Sequence, residues 1–529
     1  MIKHGAVRIL RVTGPAALLT VGIALRFINL NWDGGTGLIH SDERLITDAT
    51  LRISFSDNLN PGFQDYNGLP VYTLKGASVI ASSLTGNPGL KNSVSGITLT
   101  GRLVSAILSA FTVLIIYLIG KGISPDIGIT AAILAAFSPI ALQLAHFHTT
   151  DTYLTFFAAL LFLFLIRGTG KPGLGVTVTT AVISGLAIGV KNTAYLLLPL
   201  PAAFTLYSGR IAQRIVRITV FGLVAIAVFF IVSPYTFLNF GEYASTYRYL
   251  TRMAIGREIY GWTLQFKNSG PLMIISNLLF AYGPVMMIAG TAGLVKLGWP
   301  LLRTRLKPVQ AASAWTVAFT LFLAFAYVKF IRYVLPVMPM LSVGAAIVIS
   351  KLSKHRAGRY AGYAAIISTI AWGLSFSAVY LKPNPLVSAS GYIYKNIPAG
   401  SSVCTERNNT AIPLPQGGST PDVYRQPSFD FYAPDSPAKS TGLTRWLGSC
   451  DYFVITSRRV YGTVLNLPET FPETGKFYRS LLSGSAGFVR IAEFESYPKL
   501  GPLIINDDAS EETFAVFDHP KVMIFRRNF

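Results

Sequence analysis

The fold is decided by apolar stretches such as residues 100–120, which read TGRLVSAILSAFTVLIIYLIG and carry a single charge, Arg102. A helix of about 20 apolar residues is long enough to cross the hydrocarbon core of a bilayer. Stretches of this kind recur along the first 381 residues, separated by short loops. They predict eleven membrane-spanning helices, near residues 12–30, 100–120, 127–145, 152–167, 174–190, 194–208, 216–235, 271–295, 311–328, 333–350 and 361–381.

The composition agrees with a polytopic membrane protein. Of the 529 residues, 51% are hydrophobic and 13% are charged, whereas about a quarter of the residues of a soluble domain are charged. Aromatic residues at 12% argue against intrinsic disorder. The two cysteines exclude a disulfide-rich scaffold and a cysteine-based metal centre.

Loop charges predict the orientation of the helices. Alternate loops are basic, among them those around Lys121, Arg210 and Lys351, and the positive-inside rule places such loops in the cytoplasm. The basic residues 1–11 precede a first helix that we expect to be retained, because no small-residue cleavage site is evident. With eleven spans, residues 382–529 lie outside. The predicted location is therefore the cell membrane, with the C-terminal part extracytoplasmic.

The net charge of +21 belongs almost wholly to the membrane part, residues 1–381. Residues 382–529 hold 15 Lys and Arg and 14 Asp and Glu, so this part is nearly neutral. The basicity follows the predicted membrane topology, which removes the main support for a nucleic-acid partner.

Residues 382–529 predict a separate α/β domain, long enough to have its own core. Its β-like runs are Ser402–Thr405, Asp451–Thr456, Val489–Phe494 and Val522–Phe525, and its helical candidates are Ser440–Leu447 and Gly475–Leu482. Cys404 and Cys450 both lie near strand starts. A disulfide between them and a pair of buried thiols are equally compatible with the spacing.

The first outer loop, residues 31–99, holds six of the ten acidic residues of the membrane part, so chemistry is expected there. Residues 40–44 read HSDER and open a stretch with helical periodicity. An interfacial helix capped by Ser41 or Asp42 explains this pattern without any catalytic role. The alternative is that Asp42 and Glu43 are catalytic carboxylates.

A second polar group, His146, His148 and Asp151, lies between the third and fourth predicted helices. Asp151 is placed to cap the fourth helix. The two histidines are a possible divalent-metal site if Asp42 or Glu43 joins them, and no other cofactor is indicated.

Outer loops also carry cations, although the positive-inside rule places most basic loops in the cytoplasm. Lysines near the ends of spans commonly extend to lipid headgroups, but cations gathered on this side also fit a bound anion such as a phosphate. The cations and the tyrosines beside them are Lys191, Tyr195, Arg257, Lys329, Arg332 and Tyr333.

These segments resemble the GT-C superfamily of glycosyltransferases. Residues 40–44 are similar to its acidic motif, in particular that of the branch with protein O-mannosyltransferases and the lipid A aminoarabinose transferase. Further similar segments follow in the family's order; they are 66–72 (YNGLPVY), 145–151 (AHFHTTD), 185–192 (GLAIGVKN) and 329–336 (KFIRYVLP). The chain departs from the branch at Asn67-Gly68, where a proline and its neighbour are usual, and at Asn192, where tyrosine is usual.

The resemblance implies a polytopic enzyme that transfers a sugar from a polyprenyl-phosphate carrier to an acceptor outside the membrane, with inversion. The expected partners are the polyprenyl-phosphate-linked sugar, the lipid bilayer and an acceptor that is a protein, a lipid or a glycan. Two other classes compete with this reading: a secondary transporter, whose acids would lie near the midplane, and a non-catalytic scaffold that displays the C-terminal domain.

The reaction gives the candidate residues physical roles. Asp42 is the expected base for the acceptor hydroxyl, with Glu43 as second candidate or orienting group. Preorganised cations stabilise the departing phosphate. The expected substrate- and phosphate-binding residues are His40, Arg44, Asp151, Lys191, Tyr195, Arg257, Lys329, Arg332 and Tyr333.

Overall fold

The computed structural model describes residues 14–168, 173–207, 209–299 and 307–528. Seven of its helices are long and apolar enough to cross a membrane, or eight if a bent pair counts as one span. The seven are Val94–Lys121, Thr150–Arg167, Ile211–Val232, Met273–Gly298, Pro308–Phe325, Ile331–Leu352 and Arg356–Asn396. The predicted basic stretch 1–11 lies outside the described residues.

The bent pair consists of Pro125–Ala136 and Pro139–Ala145, whose axes differ by 61°. Ser138, which precedes Pro139, has extended backbone angles, as expected of a residue before proline. Three shorter helices, Gly14–Phe27, Leu174–Ile188 and Pro199–Leu206, occupy the remaining predicted spans. Every predicted span thus contains a helix, while the count of eleven and the orientation stay predictions.

The interruption between the predicted spans 174–190 and 194–208 is confirmed. The preceding helix ends at Ile188, and a 3₁₀ turn, Asn192–Leu197, leads into the helix that begins at Pro199. A second 3₁₀ turn, Ile331–Val337, begins the span that ends at Leu352. Both turns carry residues of the candidate site.

Shorter helices fill the connections between the spans. In the first predicted outer loop they are Ser41–Arg52, Gly68–Thr85 and Gly89–Asn92. After the span Ile211–Val232 they are Pro234–Leu238, Phe240–Ala254 and the 3₁₀ turn Gly261–Phe266. The span Arg356–Asn396 comprises Arg356–Ser377, a 3₁₀ turn Ala378–Leu381 and Pro385–Asn396.

The C-terminal part contains a mixed five-stranded sheet, as the sequence predicts. Its strands, in spatial order, are Ser428–Phe429, Val403–Glu406, Tyr452–Ile455, Val522–Arg527 and Phe488–Phe494. The first three strands are parallel, and the last two pair antiparallel. The helices are Pro437–Gly448, Arg459–Leu465 and Pro472–Leu482, and a two-stranded ribbon pairs Lys499–Leu500 with Leu503–Ile504.

The structure decides between the two states left open for the cysteines. Cys404 and Cys450 form a disulfide, with their Cα atoms 5.6 Å apart. The parallel pairing of strands Val403–Glu406 and Tyr452–Ile455 brings the two residues together.

One segment of the C-terminal part, residues 507–519, is packed into the membrane part; we call it the docking segment. Gln143 donates to the backbone oxygen of Phe514 (2.6 Å), and Tyr380 donates to Asp518 (2.7 Å). The ring of Phe517 lies 4.1 Å from that of His40. These contacts place the C-terminal part directly against the start of helix Ser41–Arg52.

Candidate functional site

Asp42 lies in the first turn of helix Ser41–Arg52. The helix is capped by His40, whose Nδ1 accepts from the Glu43 backbone N–H at 3.4 Å. The expectation that Ser41 or Asp42 is the cap is therefore wrong, and the Asp42 carboxylate is free for other partners. It is largely buried, with 15% of the side chain exposed.

Two side chains from distant segments bind the Asp42 carboxylate. The Tyr66 hydroxyl donates to Oδ2 at 3.0 Å, and Nη1 of Arg332 donates to the same oxygen in an ion pair. Burial by itself raises the pKa of Asp42, but Arg332, assisted by the Tyr66 hydrogen bond, outweighs burial and lowers this pKa to about 2. Asp42 is therefore a carboxylate over the whole physiological range.

A second ion pair adjoins the first. Nζ of Lys191 lies 2.9 Å from Oδ1 of Asp151, and Nε of Arg332 lies 3.7 Å from Oδ2 of the same carboxylate. The Lys191 ammonium is also 4.5 Å from the centre of the Tyr333 ring. We call Asp42, Asp151, Lys191 and Arg332, with Tyr66 and Tyr333, the outer charge cluster.

The charges of the outer charge cluster come from four separate segments of the chain. Asp151 lies one residue inside helix Thr150–Arg167, whose N-cap is Thr149, so its expected capping role is wrong. Within the described residues, Nε of Arg332 is buried and has no hydrogen-bond acceptor. The cluster thus contains an unused donor, a feature that suits an incoming anion.

The sequence predicts no role for Tyr66, although residues 66–72 are one of the segments similar to the GT-C superfamily. Its neighbour Asn67 donates to Asn192 at 3.0 Å and to the backbone oxygen of Ile188 at 2.6 Å. These bonds hold the segment against the joint that carries Lys191, whose ammonium lies 5.7 Å from the Tyr66 ring. The similarity of residues 66–72 to the family motif indicates that this segment contributes to the site. The motif does not indicate that the Tyr66 hydroxyl binds Asp42.

Glu43 does not join the outer charge cluster, which corrects its expected place beside Asp42. Successive helical residues face different sides, and the Glu43 side chain points into the protein. Arg102 donates to both of its oxygens at 2.9 and 2.7 Å, and the His148 backbone N–H donates at 2.8 Å. Asp33 binds the other side of Arg102 at 2.9 and 3.1 Å.

The Asp33–Arg102–Glu43 group is a buried structural triad, with each side chain at most 1% exposed. Arg102 also donates to the backbone oxygen of Leu30 and stacks on Trp32, so all its donors are used. Sequence reasoning missed this triad. The signal was available, because a lone charge inside an apolar span is expected to have a partner.

The two histidines of residues 146–148 are buried and bonded within the protein. Both ring nitrogens of His146 lie 2.8 Å from backbone oxygens, those of Leu142 and Ile28, and Nδ1 of His148 lies 3.0 Å from Gly101 O. Across the part of the chain that the structure describes, no three His, Cys, Asp or Glu side chains form a metal-like group. Among the described residues, the two histidines thus do not form a metal site with Asp42 or Glu43.

The outer charge cluster does not fit a divalent metal either. Asp42 and Asp151 already face a guanidinium and an ammonium, so a metal ion there would stand beside two cations. The donor set suits an anion instead.

Five other predicted residues lie outside the cluster. Arg44 pairs with Asp48 near the surface at 2.8 Å, and His40 packs on Phe517. Their positions follow from helix geometry, since neither shares the face of Asp42. The remaining three are Tyr195, bonded to Tyr243; Lys329, near Ser269; and Arg257, exposed.

The chain is similar to known glycosyltransferases. Residues 95–237 match the dolichyl-phosphate-mannose-protein mannosyltransferase family, a stretch that includes Asp151 and Lys191. No curated protein matches the chain by sequence.

Solved structures share the fold. An Archaeoglobus fulgidus oligosaccharyltransferase tethered with an acceptor peptide is 13% identical with a TM-score of 0.50, over 98% of this chain and 89% of that one. The oligosaccharyltransferase AglB from Archaeoglobus fulgidus, in complex with an inhibitory peptide and a dolichol-phosphate, is 13% identical with a TM-score of 0.51, over 88% of this chain and 72% of that one. ArnT from Cupriavidus metallidurans bound to undecaprenyl phosphate is 12% identical, with a TM-score of 0.48, over 97% and 98%.

Residues 95–237 are thus similar to a family of glycosyltransferases that use dolichyl-phosphate mannose, and the chain has the fold of membrane oligosaccharyltransferases. The resemblance stated from the sequence motifs is confirmed.

Proposed function

We propose that this protein transfers a sugar from a polyprenyl-phosphate carrier to an acceptor on the extracytoplasmic side, by one inverting displacement, with Asp42 as the base. The observation that carries the proposal is the outer charge cluster, in which the largely buried carboxylates of Asp42 and Asp151 face the Arg332 guanidinium and the Lys191 ammonium from separate segments. Residues 1–381 form the transferase domain and residues 382–529 the outer domain in this proposal.

The donor phosphate binds Arg332 and Lys191. Arg332 offers a planar fork of donors whose Nε is unused in the free protein, which suits a phosphate oxygen. Lys191 adds a compact positive charge beside it. As the bond from the sugar to the phosphate breaks, negative charge grows on the phosphate, and these fixed cations stabilise it.

Donor binding also prepares the base. In the free protein Arg332 holds the pKa of Asp42 at about 2, which makes its carboxylate a weak base. A phosphate that draws Arg332 toward itself weakens this ion pair and raises the pKa of Asp42. The carboxylate then accepts the proton of the acceptor hydroxyl as the new glycosidic bond forms.

The arrangement of carboxylates supports inversion. A double-displacement mechanism needs a second carboxylate that is free to attack the sugar. Asp151 is paired with Lys191, and Glu43 is enclosed by Arg102. One base and a direct attack by the acceptor hydroxyl are sufficient for the single step.

The proposal is tested by release of polyprenyl phosphate from a polyprenyl-phosphate sugar, using the purified protein in lipid nanodiscs. We expect Asp42→Asn to slow release by roughly a hundredfold or more. Asp48→Asn is the matched control, because Asp48 lies on the same helix but pairs with Arg44 near the surface. Wild-type rates in Asp42→Asn, or a released or transferred sugar of retained configuration, contradict the proposal.

A further inference from the structure

The docking segment contacts a chain neighbour of each member of the Asp42–Arg332 ion pair. On one side Phe517 packs against His40, the cap of the helix that carries Asp42. On the other side Oε2 of Glu511 accepts from the backbone N–H of Ile331 at 3.0 Å, one residue before Arg332. The C-terminal part is thus bonded to the backbone directly before Arg332.

Ile331 begins the 3₁₀ turn Ile331–Val337. The first N–H groups of a helical turn have no acceptor within the turn and need one from elsewhere. Glu511 supplies that acceptor for Ile331, which is itself buried. The bond therefore anchors the start of the turn, and with it the direction in which Arg332 leaves the backbone.

Glu511 is itself held in place and is only 2% exposed. Gln265 donates to its Oε1 at 2.8 Å, and both the backbone N–H and the hydroxyl of Thr513 donate to the carboxylate. A buried carboxylate with four donors around it has one defined orientation.

We propose that Glu511 is a positioning residue, which holds the Ile331–Val337 turn so that Arg332 meets Asp42 and the donor phosphate. The part of this proposal that concerns the donor phosphate rests on the proposed function. In this proposal the C-terminal domain helps to assemble the transferase site, in addition to any contact that this domain makes with the acceptor.

The first test compares three variants in the release assay. Glu511→Met removes the acceptor for Ile331, and we expect kcat to fall roughly tenfold or more. Glu511→Gln keeps the acceptor oxygen for Ile331 and places its NH₂ against Gln265, which can turn its amide to accept, and against the Thr513 backbone N–H, which cannot. We therefore expect a rate between those of Glu511→Met and the wild type. Glu512→Met is the control, because Glu512 is a buried neighbour whose carboxylate binds Arg459 within the C-terminal domain.

If Glu511→Met does not fold, Glu511→Asp replaces it, because Asp keeps the charge but is one methylene too short to reach Ile331. Wild-type kcat in a folded Met or Asp variant overturns the proposal. Equal losses in Glu511→Met and Glu512→Met also overturn it, since they indicate general disruption of the docking segment.

A second measurement is independent of activity. Melting temperatures of Asp42→Asn, Arg332→Gln and the double variant give the coupling between these side chains. We expect this coupling to be lost when the cycle is repeated in the Glu511→Met or Glu511→Asp background and kept in the Glu512→Met background. Unchanged coupling overturns the positioning role even if Asp42 proves dispensable for transfer, so failure of this proposal and failure of the proposed function are distinguishable.

Discussion

Arg332 binds the Asp42 carboxylate although 290 positions separate the two residues in the sequence. Asp42 lies in the first turn of helix Ser41–Arg52, and Arg332 lies in the 3₁₀ turn Ile331–Val337. Neither residue has a charged partner within its own turn that explains its burial. The pair therefore exists only when the helical body is assembled.

Replacing Lys191 by Met should weaken donor binding. The change removes one of the two cations of the outer charge cluster and leaves Asp151 without its nearest partner. We expect the Kd for polyprenyl phosphate to rise roughly tenfold or more, measured by titration of the protein in nanodiscs. Lys121→Met, at an exposed helix end, is the control; equal affinity in both variants contradicts a phosphate-binding role for Lys191.

Replacing Tyr66 by Phe should shift the acid limb of the pH–rate profile upward. The Tyr66 hydroxyl donates to the Asp42 carboxylate and lowers its pKa, so its loss raises that pKa from about 2 toward its usual range. If Asp42 is the base, as proposed, it is then protonated and activity is lost at a higher pH than in the wild type. The profile of kcat/KM for donor cleavage checks this. Tyr72→Phe, whose hydroxyl binds Leu59 O, should leave the limb in place.

Replacing Arg102 by Met should destabilise the membrane part strongly. Removal of the guanidinium leaves Asp33 and Glu43 buried together without a counter-charge. We expect a loss of about 3–5 kcal/mol, seen as a lower melting temperature. Arg44→Met should have an effect below about 1 kcal/mol because its pair with Asp48 is partly exposed. Equal melting temperatures for the two variants would show that the triad is not structural.

The stability of the C-terminal domain should fall as the pH rises from about 4.5 to about 7. Burial raises the pKa of Glu406 to about 7, although Tyr478 and Asn409 donate to it. Between its unfolded pKa, about 4.5, and 7, the folded protein binds more protons than the unfolded chain, so each step up in pH favours unfolding. The total effect is roughly 3 kcal/mol.

Melting curves of Glu406→Gln across this range check that expectation. Glutamine cannot ionise, so the pH dependence should flatten, whereas Glu473→Gln at an exposed site should keep the wild-type slope. A wild-type slope in Glu406→Gln would assign the pH dependence to another group.

Residues of the candidate site could be predicted where the type of side chain and its position at the end of a span were enough to mark it. Asp42, Asp151, Lys191, Arg332 and Tyr333 were all recognised as polar residues at the predicted outer ends of helices, and the structure brings them together. The neighbours His40, Glu43 and Arg44 were grouped with Asp42 because they adjoin it in sequence. Helical geometry separates them, since consecutive residues point in different directions.

The sequence by itself determined the membrane class, the positions of the helices and the α/β character of the C-terminal part. Hydropathy and local periodicity act over about 20 residues and are readable along the chain. Only the tertiary structure decided that Glu43 belongs to Arg102, that Cys404 joins Cys450, and that Glu511 reaches Ile331. These pairings depend on how distant helices and strands pack. Because the partners are far apart in the sequence, the local sequence around one residue does not identify the residue that it contacts.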